Sequence, residues 1–269
     1  MLCSTIIPTV DRHTLGRSVE SALEQGLGPD LHEILVFNNS NGLLTEADWM
    51  KSPQVRIVDT HSDLIHASNL GGEMATGRYI NFLHDDDSLL PGALKALVDR
   101  AEASGYYWTS GGYNLVDDEY SLISAVRPVV KGNVFALLVG GECFPLAASL
   151  VNREAFLRVG GFDVEIRGIS DIVLESQLAL VSDFESIDQV VATVRLAGGK
   201  GTTHNWTSRT KQDHRSMREK ALGADGALGR MRDSVEGDVV LRGRACRAYL
   251  HSAALNILRG QVGVAAGRR

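Results

Sequence analysis

The chain has 269 residues and a formal net charge of −6, with 44% hydrophobic and 22% charged residues. These values exclude a disordered or collagen-like chain and fit a globular protein with a sizeable core. Cys3, Cys143 and Cys246 stand far apart without CxxC or CxxxH spacing, which argues against a disulfide framework or a zinc site and for a reducing, cytoplasmic setting.

No basic leader precedes an apolar stretch, and no window reaches the roughly 18 to 20 apolar residues of a membrane span. A soluble or peripheral protein is expected. Charge is unevenly spread: residues 1–194 carry 12 Lys+Arg against 27 Asp+Glu, and the remainder 15 against 6. A basic tail beside an acidic body serves an anionic ligand, an anionic membrane surface or the body itself.

Ser4–Pro8 is a short β-branched run that reads as a strand, and Thr14–Gln25 places Leu15, Val19, Ala22 and Leu23 at helical spacing. Glu33–Phe37 is an apolar strand stopped by the turn-forming Asn38–Gly42. A third strand follows at Val55–Val58, a helix at Ile65–Thr76 and a fourth strand at Tyr79–Leu83. Strands alternating with helices and apolar on both faces predict a parallel, doubly wound α/β sheet. Such sheets bind ligands at the carboxyl ends of their strands.

Beyond Pro91 the pattern predicts a helix to Ala103, a strand at Tyr106–Leu115, a turn at Val116–Glu119 and a return strand at Ser121–Val126. Phe144–Val151 reads as a strand, Arg153–Val159 and Ser170–Ala179 as helices, and Gln189–Leu196 as the last strand. Gly198–Thr210 reads as a loop, followed by helices at about 211–232 and 238–259.

His84-Asp85-Asp86-Asp87 follows directly on the strand YINFL. Three consecutive carboxylates at a strand's carboxyl end repel one another without a cation, and they suit Mg²⁺ or Mn²⁺ with a substrate diphosphate completing the shell. An acidic triplet also serves as a solvated turn capping the next helix; its place at the ligand edge favours metal and phosphate. Asn38-Asn39-Ser40 occupies the same edge, where these residues also make an ordinary turn. Asp171, taken alone, reads as a first-turn helix acid. No GxGxxG follows the first strand, and neither GxxxxGK[ST] nor GxSxG occurs. A dinucleotide oxidoreductase, a P-loop NTPase and a serine hydrolase therefore lose their main support.

The stretches Ser4–Leu23, Glu33–Ser40, Ala67–Leu94 and Leu150–Ala179 together resemble the family 2 glycosyltransferases, inverting enzymes of the GT-A fold, over about residues 4–196. The resemblance implies an α/β, Rossmann-like, mostly parallel sheet flanked by helices. It implies a GT-A domain over 1–210, with a nucleotide-sugar half (1–100) and an acceptor half (101–210), and a basic helical extension over 211–269.

On this pattern the family's DxD signature falls on His84–Asp87, so Asp86 with Asp87 or Asp85 would hold the Mn²⁺ or Mg²⁺ that bridges the donor's diphosphate, and His204 is a further candidate ligand. Pro8, Thr9 and Asp11 would border the nucleotide, with Asp85 beside it. Asn38 and Ser40 fall where the family's Asp-Asp-Gly-Ser meets the base, and Asn38 can accept there through its oxygen. Ser68-Asn69 stands in place of Arg-Asn, which removes a cation and leaves Asn69. After Gly160-Gly161-Phe162-Asp163, Asp171 takes the place of the catalytic base, and Lys200, Arg209 and Lys211 could close over the diphosphate.

The implied reaction is hexosyl or N-acetylhexosaminyl transfer from a nucleotide diphosphate sugar, UDP first with dTDP and GDP as alternatives, to a saccharide, lipid-linked or natural-product acceptor. A nucleotidyltransferase and a non-catalytic nucleotide-sugar-binding protein are the rival readings. Nucleic acid is disfavoured by the overall acidity. The C-terminal helices suit packing on the body, a homodimer contact, or peripheral contact with the inner face of a membrane.

Overall fold

In the computed structural model, which describes residues 1–60, 62–196 and 208–236, the first half alternates strand and helix. β1 (Cys3–Thr9), α1 (Leu15–Leu23), β2 (His32–Asn38), β3 (Val55–Asp59), α2 (Leu64–Met74), β4 (Tyr79–Phe82), the short β5 (Ser88–Leu89) and α3 (Ala93–Ser104) follow in order. The second half holds β6 (Trp108–Val116), β7 (Leu122–Val126), β8 (Lys131–Gly132), α4 (Phe135–Gly140), β9 (Ser149–Asn152), α5 (Arg153–Arg158), α6 (Ser170–Val181), β10 (Phe184–Arg195), α7 (Ser208–Gly223) and α8 (Ala227–Glu236).

One sheet runs in the order β3-β2-β1-β4-β9-β6-β10-β5, with β7 on β6 and β8 on β10. β1 pairs parallel with β2 and β4, β2 with β3, and β6 with β10, whereas β9 runs antiparallel to both β4 and β6. The sheet is therefore parallel where helical crossovers build it and mixed where β9 is inserted.

Alternate side chains of the buried strands feed two cores, one on each face. Ile6, Leu35 and Phe37 join Phe82, Trp108 and Phe156 on one side; Ile7, Ile34 and Val36 join Val19 and Leu94 on the other. The Asp63 carboxylate caps α2 by accepting from the N–H groups of Ile65 (3.1 Å) and His66 (3.0 Å). Gly71 and Gly72 let that helix sit directly on its neighbours, since a Cβ there would lie 2.6 Å from Ile6 and 2.2 Å from Phe156.

Three sequence expectations are corrected. The strand expected over 144–151 is a 3-10 turn (Leu146–Ala148) leading into β9. Pro145 brings no N–H to a ladder, and the buried Asn81 amide donates to the carbonyls of Leu146, Ala147 and Ser149 (3.3, 3.1 and 2.9 Å). β10 starts at Phe184 rather than at 189, because register shifts between Ser186 and Ala192 break its alternation. The helix expected over 211–232 is split into α7 and α8 by a turn containing Gly226 at φ +78°. The helix expected over 238–259 lies outside the described residues. Among the described residues no helix is long and apolar enough to cross a membrane.

Candidate active site

β1 and β4 lie side by side with Ile6 opposite Phe82, so the loop after β1 faces His84–Asp87. Asp85 and Asp87 are buried. The Thr9 hydroxyl donates to Asp85 Oδ2 (2.7 Å), Arg12 Nε lies 3.2 Å from Asp85 Oδ1 and Arg12 Nη1 3.2 Å from Asp86 Oδ2. The backbone is held separately. Hydroxyls of Thr14, Tyr120 and Ser18 donate to the main-chain carbonyls of Asp85 (2.7 Å), Asp86 (3.3 Å) and Asp87 (2.6 Å).

The end of β10 closes the site. The Arg195 N–H donates to Asp87 Oδ1 (2.9 Å), its Nη1 lies 3.7 Å from Asp86 Oδ2, and its Nη2 pairs with Asp118. Asp11 (φ +63°) and Tyr120 (φ +61°) are the non-glycine residues with left-handed backbone among those described. Both flank this loop, and the Tyr120 ring lies under the Arg17 guanidinium, 3.6 Å from its centroid.

His84, Asp86 and Asp87 each offer a ligand atom, and these atoms lie within 4.8 Å of one another. Two carboxylates and an imidazole in that arrangement could hold a divalent metal ion. Burial raises the Asp86 carboxyl pKa, with the Asp87 and Asp85 charges adding to the rise and His84 and Arg12 opposing it. Partial desolvation opposes charging His84, but the Asp87 carboxylate 3.6 Å from its Nδ1 and the charges of Asp86 and Asp171 push its pKa up to about 9.

Asp171 stands half-buried in the first turn of α6, its Oδ1 accepting from the Ile172 N–H (2.9 Å). Burial raises its pKa, and the Ile172 N–H and the His84 charge draw it partly back. A carboxylate so raised is a better proton acceptor than an exposed one. One turn further, the buried Glu175 accepts from the Phe144 N–H through both oxygens (3.1 Å each). Burial and the Asp171 charge push its pKa well up.

A crevice of about 330 Å³ opens beside the ends of β2 and β3, lined by Asn38, Ser40, Asn41, Gly42, Asp59 and Thr60, among others. The Asn38 amide is fully engaged in it. Its Nδ2 donates to Asp59 Oδ1 and to the Gly42 carbonyl (2.8 Å each), and its Oδ1 accepts from the Ser40 N–H (3.0 Å) and hydroxyl (2.6 Å). Asp59, opposite Asn38 in the β2–β3 ladder, brings an exposed carboxylate to this crevice.

Pro8 pairs with Phe37 in the sheet, and the Asp11 carboxylate accepts from the Thr45 N–H (3.2 Å) and hydroxyl (2.9 Å). Asn69 exchanges two bonds with the Phe162 backbone (2.9 and 2.8 Å), tying α2 to the Gly160–Asp163 turn. Thus Thr9, Asp85, Asp86 and Asp87 meet in one place with Asp171 in electrostatic reach, and Asn38 and Ser40 form the adjoining crevice. Lys200 and His204 lie outside the described residues, as do the side chains of Arg209 and Lys211 in the first turn of α7. Sequence reasoning missed Arg12, Arg195, Tyr120 and Asp59. Only the first had a local signal, being a cation on the loop that a parallel sheet sets beside the acidic triplet.

Residues 4–156 match the family model described as glycosyl transferase family 2. An uncharacterized glycosyltransferase of Rickettsia conorii is 25% identical over 138 residues, covering 51% of this chain and 22% of that protein. One of Rickettsia bellii is 25% identical over 209 residues, covering 75% and 30%. The chain thus spans about a fifth to a third of the length of these relatives. Among solved structures, S. aureus TarS 1–349 in complex with UDP-GlcNAc superimposes with a TM-score of 0.66 at 12% identity, covering 92% of this chain and 79% of that one. The complex of the same protein with UDP gives a TM-score of 0.58 at 11% identity. The fold is thus the GT-A fold of glycosyltransferases, and since the family match takes in more than half of the sequence, the chain belongs to glycosyl transferase family 2.

Proposed function

We propose that the protein transfers a sugar from a nucleoside diphosphate sugar to an acceptor hydroxyl, with inversion at the anomeric carbon and with a divalent cation. The observation that carries this reading is the cluster of His84, Asp86 and Asp87 ligand atoms within 4.8 Å of one another at the end of β4, with Asp85 tied to Thr9, the last residue of β1, and to Arg12 in the loop after it. Asp86 and Asp87, with a His84 nitrogen, would hold Mn²⁺ or Mg²⁺. A cation bound there supplies charge compensation for the departing diphosphate.

The remaining roles fall to the chain's own groups. Asp85, fixed by Thr9 and Arg12, holds the loop after β1 against the acidic loop and so orients both toward the donor. The Asn38–Asp59 crevice receives the base, and UDP is the first candidate because TarS, of the same fold, is described in complex with UDP-GlcNAc and with UDP. Asp171, with Oδ1 held by the Ile172 N–H, takes the acceptor's proton as the hydroxyl oxygen attacks. Attack opposite the leaving diphosphate is a single displacement and inverts the anomeric carbon.

Thermal stabilisation by UDP, GDP, dTDP and CDP, each with Mn²⁺, Mg²⁺ or EDTA, tests the donor site. The expected result is a metal-dependent shift with UDP that Asp86→Ala abolishes. No shift with any nucleotide would refute the reading.

A further inference from the structure

Two arginines stand on the acidic loop, and they are held differently. Arg195 is 12% exposed, its main-chain N–H bonds Asp87, and its guanidinium is held between Asp118 and, at 3.7 Å, Asp86. It is built into the end of β10. Arg12 is 43% exposed and follows the left-handed Asp11. Its guanidinium bridges two carboxylates, Asp85 and Asp86, at 3.2 Å each, whose side chains are only 7% and 16% exposed.

Asp86 Oδ2 is therefore contested: Arg12 Nη1 lies 3.2 Å away and the built-in Arg195 Nη1 3.7 Å away, and the same carboxylate belongs to the cation-capable set of His84, Asp86 and Asp87. A guanidinium and a dication on one carboxylate repel each other, so binding one opposes binding the other. The guanidinium also carries a planar fork of donors that matches phosphate oxygens in pairs. Its long, half-exposed stem can turn while the loop stays put, because the carbonyls of Asp85, Asp86 and Asp87 are held by the hydroxyls of Thr14, Tyr120 and Ser18.

We propose that Arg12 is an exchangeable counter-ion of the donor site: it neutralises Asp85 and Asp86 in the free protein, yields Asp86 to a divalent cation, and turns onto the donor's diphosphate. This rests on the donor-site reading above. It requires that Arg12 oppose binding of the cation alone and favour binding of the nucleoside diphosphate, two effects of opposite sign from one side chain.

The test is a titration of Mn²⁺ alone into wild type, Arg12→Gln and Arg12→Lys, with free Mn²⁺ read by electron paramagnetic resonance, followed by calorimetric titration of UDP at saturating Mn²⁺. Arg12→Gln should bind Mn²⁺ alone roughly tenfold more tightly, as expected for removal of a neighbouring positive charge. It should bind UDP roughly tenfold more weakly, for loss of a charge-assisted phosphate bond. Arg12→Lys, which keeps the charge and loses the fork, should hold Mn²⁺ as wild type does and bind UDP more weakly.

Equal or weaker Mn²⁺ binding by Arg12→Gln overturns the exchange, as does absence of Mn²⁺ binding by every variant. Unchanged UDP affinity overturns the transfer to the diphosphate. If wild type binds Mn²⁺ but no nucleoside diphosphate, the donor-site reading fails, and the Mn²⁺ affinities of wild type and Arg12→Gln still judge the exchange at the carboxylates.

Discussion

His32 opens β2 deep in the sheet, fully buried, with Nε2 2.9 Å from the Thr5 hydroxyl and Nδ1 making no hydrogen bond. Burial pushes its pKa down from 6.5 to about 4, and the Glu33 charge only partly offsets this. Between those values the unfolded chain takes up a proton that the folded chain refuses. Stability is therefore full above pH 6.5, falls as the pH drops toward 4, and levels off below that. At 1.36 kcal/mol per pH unit, the loss traceable to this one imidazole is about 3 kcal/mol.

The assay is urea unfolding followed by tryptophan fluorescence from pH 7.5 to 4, for wild type and His32→Gln. Wild type should lose about 3 kcal/mol more than the variant over that range. His214, whose pKa burial likewise pushes down to about 4, titrates in both proteins and cancels in the comparison. Parallel stability curves would refute the reasoning, because they would mean that the folded protein accommodates a charged imidazole between β1 and β2.

Asp171→Asn should leave metal-dependent UDP binding nearly unchanged while lowering turnover about 10²- to 10⁴-fold, measured as release of nucleoside diphosphate. Turnover at the wild-type level would remove Asp171 from the role of base. Gly72→Ala should destabilise the protein by about 1–3 kcal/mol, because the new methyl would lie 2.2 Å from the Phe156 ring. A denaturation midpoint equal to that of wild type would show that Phe156 can move aside.

The first half of the fold was legible because its central strands β2 and β4 are buried on both faces and read as apolar runs, EILVF and YINFL. The acidic loop was legible because three carboxylates at a strand end have few other uses. β9 was legible as a strand, begun too early, but not in its direction: SLVN carries no sign of it, and it comes from pairing with β4 and β6. The α4 sequence FALLVG is apolar at every position, and so short a run fits a strand as well as a helix.

The same limit applies to the site. Asp171, Asp86 and Asp87 were singled out through resemblance to motifs. The Asp59 carboxylate beside Asn38 depends on strand register, and the reach of Arg195 to the acidic loop depends on where a distant strand ends. Neither position leaves a trace in local composition.

The three hydroxyls on the carbonyls of Asp85, Asp86 and Asp87 separate the loop's shape from its chemistry. Peptide groups anchored by Thr14, Tyr120 and Ser18 have a support that does not run through the carboxylates, so the exposed ligand atoms and the scaffold are held by different bonds. If the triplet holds a cation as proposed, it is accordingly a place where metal preference can be tuned without redesigning the sheet beneath it. The engineering constraint falls instead on the hydroxyl donors, whose loss would be felt by any ligand set the loop displays.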